Sequence, residues 1–288
     1  SGTTLLATPS LGAGAPPHGP PSPAAVCPVL TPAPAAGGSV EVWSGMEFAA
    51  FLTEHIMGPL QMDDTRFTVD EANRDRFTKN YLHGEIPLKE GMEGDYFAEG
   101  RVPEPSGGLT GTMRDYWKFC QCLLNNLKGS ACTDSHAHPV LLRVLTWGGF
   151  AAVGTGPFEG VRLLGRKTVE FMGANHLPEN GDMATMGQAT FSESPMDGIG
   201  FGLGVAVVIN PAKSQLLRSA GEFYWGGMAS TAFWIDPQEE VVAVFFTQLV
   251  PSGSTPIRPE LRIAVNQAII DEAPPAYAPS VGSVAHRL

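Results

Sequence analysis

The stretch Trp225-Gly226-Gly227-Met228 carries the clearest chemical possibility in this sequence, because two adjacent glycines follow large aromatics in what reads as a strand. Glycine weakens a strand and leaves nothing to pack, so such a stretch either bends the sheet or clears space beside its backbone. Backbone N–H groups aimed at a small acyl oxygen are what an oxyanion hole requires. A β-bulge or a packing accommodation is the plainer alternative, and the stretch taken alone favours it.

A second candidate is Cys132-Thr133-Asp134-Ser135-His136-Ala137-His138, where metal-ligand residue types fall at alternate positions. On an extended strand they would project from one side, as a metal site could use. No second His/Cys cluster closes the shell, so a solvated loop is the favoured reading and no metal is expected. Asp134, Ser135 and His136 are also triad residue types, but a triad needs separate, individually supported positions. Neither a Gly-x-Ser-x-Gly elbow nor a Gly-x-Gly-x-x-Gly between strand and helix is present. The nearest approach, "GIGFGLG" from Gly198, sits inside a strand pattern, where glycine allows close packing or bending.

The elements that must position these residues are legible as patterns. "SGMEFAAFLTEHIMGPL" reads as a helix capped by Ser44 with Glu47 in a capping box, striped by Phe48, Phe51, Leu52 and Ile56, and stopped by Gly58-Pro59. Residues 68–104 are polar and aperiodic and read mostly as loop. Thr112 with Asp115 makes another capping box, opening a helix striped by Tyr116, Phe119, Cys120, Leu123 and Leu124 and ended by Asn125-Asn126. Residues 129–157 break the rhythm as a loop insertion. A short helix follows over 165–177, then a Gly-punctuated strand over 198–210. Ala232–Ile235, the turn Asp236-Pro237-Gln238-Glu239-Glu240 and the apolar run from Val241 to Phe246 make a hairpin. A closing amphipathic helix covers 255–270. Helices, then sequential strands, then a helix predict an α+β class, an antiparallel sheet flanked by helices.

The flanks differ from this body. Residues 1–40 hold no Asp, Glu, Lys or Arg and are dense in Pro, Ala and Gly, so they cannot bury enough apolar surface to offset chain entropy. A disordered tail is expected over 1–43, with a docking arm as the alternative, and a second tail over 273–288. The ordered domain is expected over 44–272. A net charge of -11 over 288 residues argues against a nucleic-acid or anionic-membrane partner. No apolar run approaches a membrane span. The chain begins at Ser1 without a basic segment leading into an apolar one, which leaves localisation open. Four cysteines make no disulfide framework in a chain this long, which tilts the reading toward a reduced, cytoplasmic setting.

Taken in order, "FLTEHIMGPLQMDDTRF", "PSGGLTGTMRDYWKFCQCLLNN", "GVRLLGRKTVEFM", "GIGFGLGVAVV" and "YWGGMASTAFWIDPQEEVVAVFFTQ" resemble the serine β-lactamase-related family. The likeness is to its class C-like branch, which includes the family VIII carboxylesterases, and covers most of 44–270. It implies a β-lactamase/transpeptidase-like fold and acyl transfer through a covalent acyl-serine. Three elements carry that chemistry: a Ser-x-x-Lys, a Tyr motif, and an inner-strand motif that is Trp-Gly-Gly in the esterase branch. Trp225-Gly226-Gly227 matches the last. By the resemblance, Tyr224, Trp225, Gly226, Gly227 and Met228 form the substrate side, with the Met228 N–H on the oxyanion.

The sequence departs from the family at the other two motifs. No serine has Lys three places on, and Tyr81, Tyr96, Tyr116, Tyr224 and Tyr277 each lack Asn two places on. Both missing motifs would precede the helix that starts at Ser44, so the fold is expected to be incomplete at the N-terminus. No catalytic residue is assigned. The expectation is the C-terminal part of a hydrolase, inactive alone, or a non-catalytic relative acting in binding or assembly. Its partner would be a small acyl substrate (β-lactam, short ester or D-amino-acid peptide, with Tyr224 and Trp225 tilting toward esters) once the missing part is supplied. A covalent serine mechanism implies no cofactor.

Overall fold

The computed structural model describes residues 5–7, 36–84, 89–90, 97, 108–128, 161–186 and 196–269. They fall into two compact units, Ser1–Asp115 and Tyr116–Leu288.

In the first unit, β1 (Leu5–Ala7) runs antiparallel to β4 (Thr110–Thr112), with Leu5 opposite Thr112. The helix α1 (Ala36–Ser44) precedes α2 (Phe48–Leu52), which continues as a wider π turn over Thr53–Met57. Most of the expected 1–43 tail and all of the 273–288 tail lie outside the described residues.

The capping box expected at Ser44 is not formed. Gly45 takes a left-handed conformation (φ 70°) and breaks the chain between the two helices. The Ser44 hydroxyl then accepts from the Met46 N–H at 3.1 Å, while Glu41 rather than Glu47 caps the Phe48 N–H at 2.9 Å. The stop at Gly58 is as the sequence indicates, and its N–H closes on the Thr53 carbonyl at 2.8 Å.

The described residues of 68–104 are mostly irregular, with short regular elements among them. Glu71–Arg76 forms a 3-10 turn, and β2 (Tyr81–Leu82) pairs antiparallel with β3 (Lys89–Glu90). Leu60, Met57, Met62 and Phe67 are buried. Asp115 fastens this unit locally, its Oδ2 accepting from the Asp64 N–H at 2.9 Å and the Thr65 hydroxyl at 3.0 Å.

The second helix forms as its cap signals, as α3 (Met113–Lys128), with the Thr112 hydroxyl accepting the Asp115 N–H at 3.2 Å. It runs past Asn125-Asn126 to Lys128. The 129–157 insertion lies outside the described residues. Next come α4 (Arg166–Met172), a 3-10 turn at Pro178–Asn180, and α5 (Met183–Met186).

A five-stranded antiparallel sheet then builds in chain order from β5 (Ile199–Phe201), β6 (Ala206–Val208), β7 (Phe223–Gly226), β8 (Ala232–Asp236) and β9 (Val241–Phe245). The short helix α6 (Pro211–Ser214) interrupts it, and β10 (Leu249–Val250) and α7 (Ile257–Gln267) follow.

The single strand expected over 198–210 is in fact two. Phe201 pairs with Ala206 across a turn in which Gly204 has φ +83°, so β5 and β6 are a hairpin rather than one bent strand.

Successive side chains of these strands point to opposite faces. On one face Val207, Phe223, Ile235 and Val242 pack with Cys120, Leu123, Leu124 and Leu127 of α3 and Val169 of α4. On the other, Trp234 packs with Leu261 and Val265 of α7. Both faces are therefore apolar, which is why β9 reads as an unbroken hydrophobic run instead of an alternation. The sheet flanked by helices is the α+β arrangement that the order of elements predicts.

Candidate functional site

Trp225-Gly226-Gly227-Met228 lies where β7 ends and the chain turns into β8. Gly226 is the last paired residue, opposite Ala232. The turn closes through the Gly227 N–H to the Thr231 carbonyl at 3.1 Å and the Ser230 N–H to the Gly227 carbonyl at 3.0 Å. Ser230, in a left-handed conformation (φ 66°), donates its hydroxyl to the Leu249 carbonyl at 2.8 Å. Ala229 and Ser230 are buried, while residues 224–228 are half-buried. Among the described residues the Met228 N–H donates to no protein acceptor.

The reason for the glycines is visible in the space around them. A side chain on Gly226 would place its Cβ 2.6 Å from Arg258 Nη2 and 2.7 Å from Cζ, and one on Gly227 would stand 2.6 Å from the Thr231 hydroxyl. Arg258, on α7, fills the place of the missing Gly226 side chain and donates through Nη2 to the carbonyls of Gly227 (2.7 Å) and Thr231 (2.6 Å). Burial, with Arg262 nearby as a second cation, lowers the Arg258 guanidinium to about 10, so it stays charged at neutral pH. Gly226 is thus glycine on account of a guanidinium on its α7 side, and Gly227 on account of the Thr231 hydroxyl.

Tyr224 and Trp225 diverge, as neighbours on a strand must. Tyr224 takes the α7 face, where Arg262 Cζ stands 4.4 Å from its ring centroid and its hydroxyl meets Met196 Sδ at 3.9 Å. Trp225 stands edge-on to Phe201 at 5.1 Å. The sequence-predicted set is therefore contiguous along the backbone, and its two aromatic side chains both pack against the cluster of Ile199, Ala206 and Val208.

Below Tyr224 lies a buried ion pair. Arg262 Nη1 donates to Glu222 Oε1, and the two residues are 5% and 0% exposed. Burial raises the Glu222 carboxyl above the usual carboxylate range, against the pull of Arg262 and Arg218. Burial also lowers Arg262, against the pull of Glu222. Each charge replaces part of the water that the other has lost. Arg258 and Arg262 escape a motif search because their partners lie far off in sequence. The available signal is a pair of cations four apart on a helix that also carries Leu261 and Val265.

Among the described residues no group of three or more His, Cys, Asp or Glu could hold a metal ion. The Cys132–His138 cluster lies outside them. No described helix is long and apolar enough to cross a membrane.

The family model described as Beta-lactamase matches residues 34–267. The Mycobacterium tuberculosis protein Rv1367c is 27% identical over 211 residues, 70% of this chain and 44% of the relative. Among solved structures, a mutant of simvastatin synthase LovD from Aspergillus terreus superposes with a TM-score of 0.59 at 20% identity, over 81% of this chain and 52% of that one. EstCE1, a hydrolase with promiscuous acyltransferase activity, gives 0.55 at 16% identity over 81% and 53%. A penicillin-binding protein homologue from Caulobacter crescentus gives 0.52 at 15% over 81% and 56%. At these identities the structural likeness is one of fold. The chain spans about half the length of those structures, and less than half of the mycobacterial relative.

Proposed function

The chain belongs to the beta-lactamase family, and on that premise we propose that it forms one wall of a serine acyl-hydrolase cleft. In this reading the Met228 N–H faces the acyl oxygen of a small ester or lactam, and the nucleophile comes from sequence that this chain does not contain. The observation that carries it is the Met228 N–H in the turn after the inner strand β7, a donor with no protein acceptor among the described residues. A fixed donor at that position would stabilise the charge that develops on oxygen as a tetrahedral intermediate forms. The chain itself has no Ser-x-x-Lys to start that chemistry. Alone it is expected to turn over nothing, since loss of nucleophile and base leaves background rates.

Titration of the 15N-labelled chain with ethyl butyrate, and separately with benzylpenicillin, tests this reading. A saturable shift of the Met228 amide with either compound supports it, and the stronger responder indicates the substrate class. If the Met228 amide responds to neither, the reading fails.

The absence of Ser-x-x-Lys also favours a second reading, a non-catalytic family member that works by binding or assembly. A stable, monodisperse preparation of this chain that gains nothing from sequence carrying Ser-x-x-Lys would favour it over the first.

A further inference from the structure

Helix α7 grips strand β7 at both ends. Arg262 takes the carboxylate of Glu222, the residue before the strand, and Arg258 takes the carbonyl of Gly227, the residue after it. Extended backbone from Glu222 to Gly227 covers ~17 Å, whereas residues four apart on a helix are separated by only about 6 Å. The long arginine side chains make up that difference. The grip on Glu222 is buried and ionic. The grip on Gly227 is aimed at a turn.

We infer that Arg258 is a positioning residue of the site: it fixes the Gly227–Thr231 turn and thereby the direction of the Met228 N–H. Nη2 donates to both ends of that turn, the Gly227 and Thr231 carbonyls, at 2.7 and 2.6 Å. The remaining fastenings are backbone bonds of 3.0–3.1 Å within the turn, and on its far side the Ser230 hydroxyl bond and the Leu249 N–H to the Ala229 carbonyl at 3.2 Å. Charge-assisted donors are shorter and stronger than neutral ones, so the guanidinium is the firmest tie on the β7 side. Gly226 completes the device. Any larger residue would meet the guanidinium, with Nη2 only 2.6 Å from the new Cβ and the Thr231 carbonyl oxygen at 2.9 Å. The use of the N–H rests on the function proposed above, but its fixation by Arg258 does not.

Amide hydrogen exchange and 15N shifts of the whole chain test the inference without any ligand. In Arg258→Met, the Gly227 and Ser230 amides are expected to exchange at least about tenfold faster and the Met228 resonance to move, while Val207 and Ile235 keep their protection. Arg258→Lys should restore most of it, because an ammonium can still donate to both carbonyls. Arg258→Gln, which keeps part of the stem and a neutral donor, serves if the methionine variant does not fold and should lose protection at the same two amides. Unchanged exchange at Gly227 and Ser230 in Arg258→Met would overturn the assignment. So would parallel loss of protection at Val207 and Ile235, which would make Arg258 a general anchor of α7. Titration of the native chain with ethyl butyrate reports separately on what the N–H binds.

Discussion

Arg262 and Glu222 form an ion pair in the interior between helix α7 and the sheet, with the arginine also lying over the rings of Tyr224 (4.4 Å) and Trp234 (4.7 Å). A pair so placed gives little net stability over an apolar substitute, but breaking it strands a charge. It also aligns α7 with β7, which is what lets Arg258 reach the Gly227–Thr231 turn.

Removing one partner should therefore be costly. Arg262→Met, which takes from buried Glu222 its ion-pair partner and leaves only the more distant pull of Arg218, is expected to lower stability by about 3–5 kcal/mol in urea unfolding. The double variant Arg262→Met with Glu222→Leu should recover most of that loss. A single variant within about 1 kcal/mol of the native chain would mean that water reaches the pair.

The glycine at the β5–β6 turn is the least replaceable in the sheet. A Cβ on Gly202 would stand 2.1 Å from the Met172 carbonyl oxygen and 3.1 Å from that of Ala174, both backbone atoms that cannot swing aside. Gly202→Ala is expected to cost about 1–3 kcal/mol, at the upper end of what overpacking does, measured by thermal or urea unfolding. Gly204→Ala has open space and suffers only from its φ of +83°, so it should cost less. The reverse order would show that the α4–β5 contact is loose in solution.

Asp182 gives the fold a dependence on pH. Its carboxylate accepts from the Gly198 N–H at 3.1 Å, and from the Thr185 N–H at 3.1 Å and hydroxyl at 2.9 Å. These bonds, the Gly198 N–H first, hold its acidity below the ordinary carboxylate value. Because the folded pKa is the lower one, the stability it gives is complete above the unfolded value of about 4 and is lost as pH falls through the folded value. The difference in melting temperature between the native chain and Asp182→Asn should be constant from about pH 6 to 7 and shrink below about pH 4. A constant difference down to pH 2 would contradict the assignment.

The hairpin from Ala232 to Phe245 was legible because its signals are local. Apolar strands flank a turn, and Asp236 accepts the N–H groups of Gln238 and Glu239 at 2.9 and 3.1 Å. The helix at Thr112 was legible for the same reason. The β5–β6 turn was hidden because Gly202-Leu203-Gly204-Val205 has no Asn, Asp or Pro, and the two apolar strands run together to the eye. At Ser44 the capping pattern was present but Gly45 broke the helix, and Glu41, seven residues before Phe48, took the cap. Most of the candidate site was invisible for a different reason. Tyr224 to Met228 could be read as a motif, but Arg258 meets Gly227 and Thr231 across 31 and 27 residues, and only the folded chain brings them together.

In the proposed function this chain supplies the acyl-oxygen side of a serine hydrolase and not its nucleophile. Intact-mass measurement after treatment with a fluorophosphonate serine probe tests it most directly, with a full-length family member that carries Ser-x-x-Lys labelled in parallel. The expected result is an adduct on that relative and an unchanged mass for this chain. A stoichiometric adduct on this chain would mean that one of its own serines is activated, and the claim would be wrong.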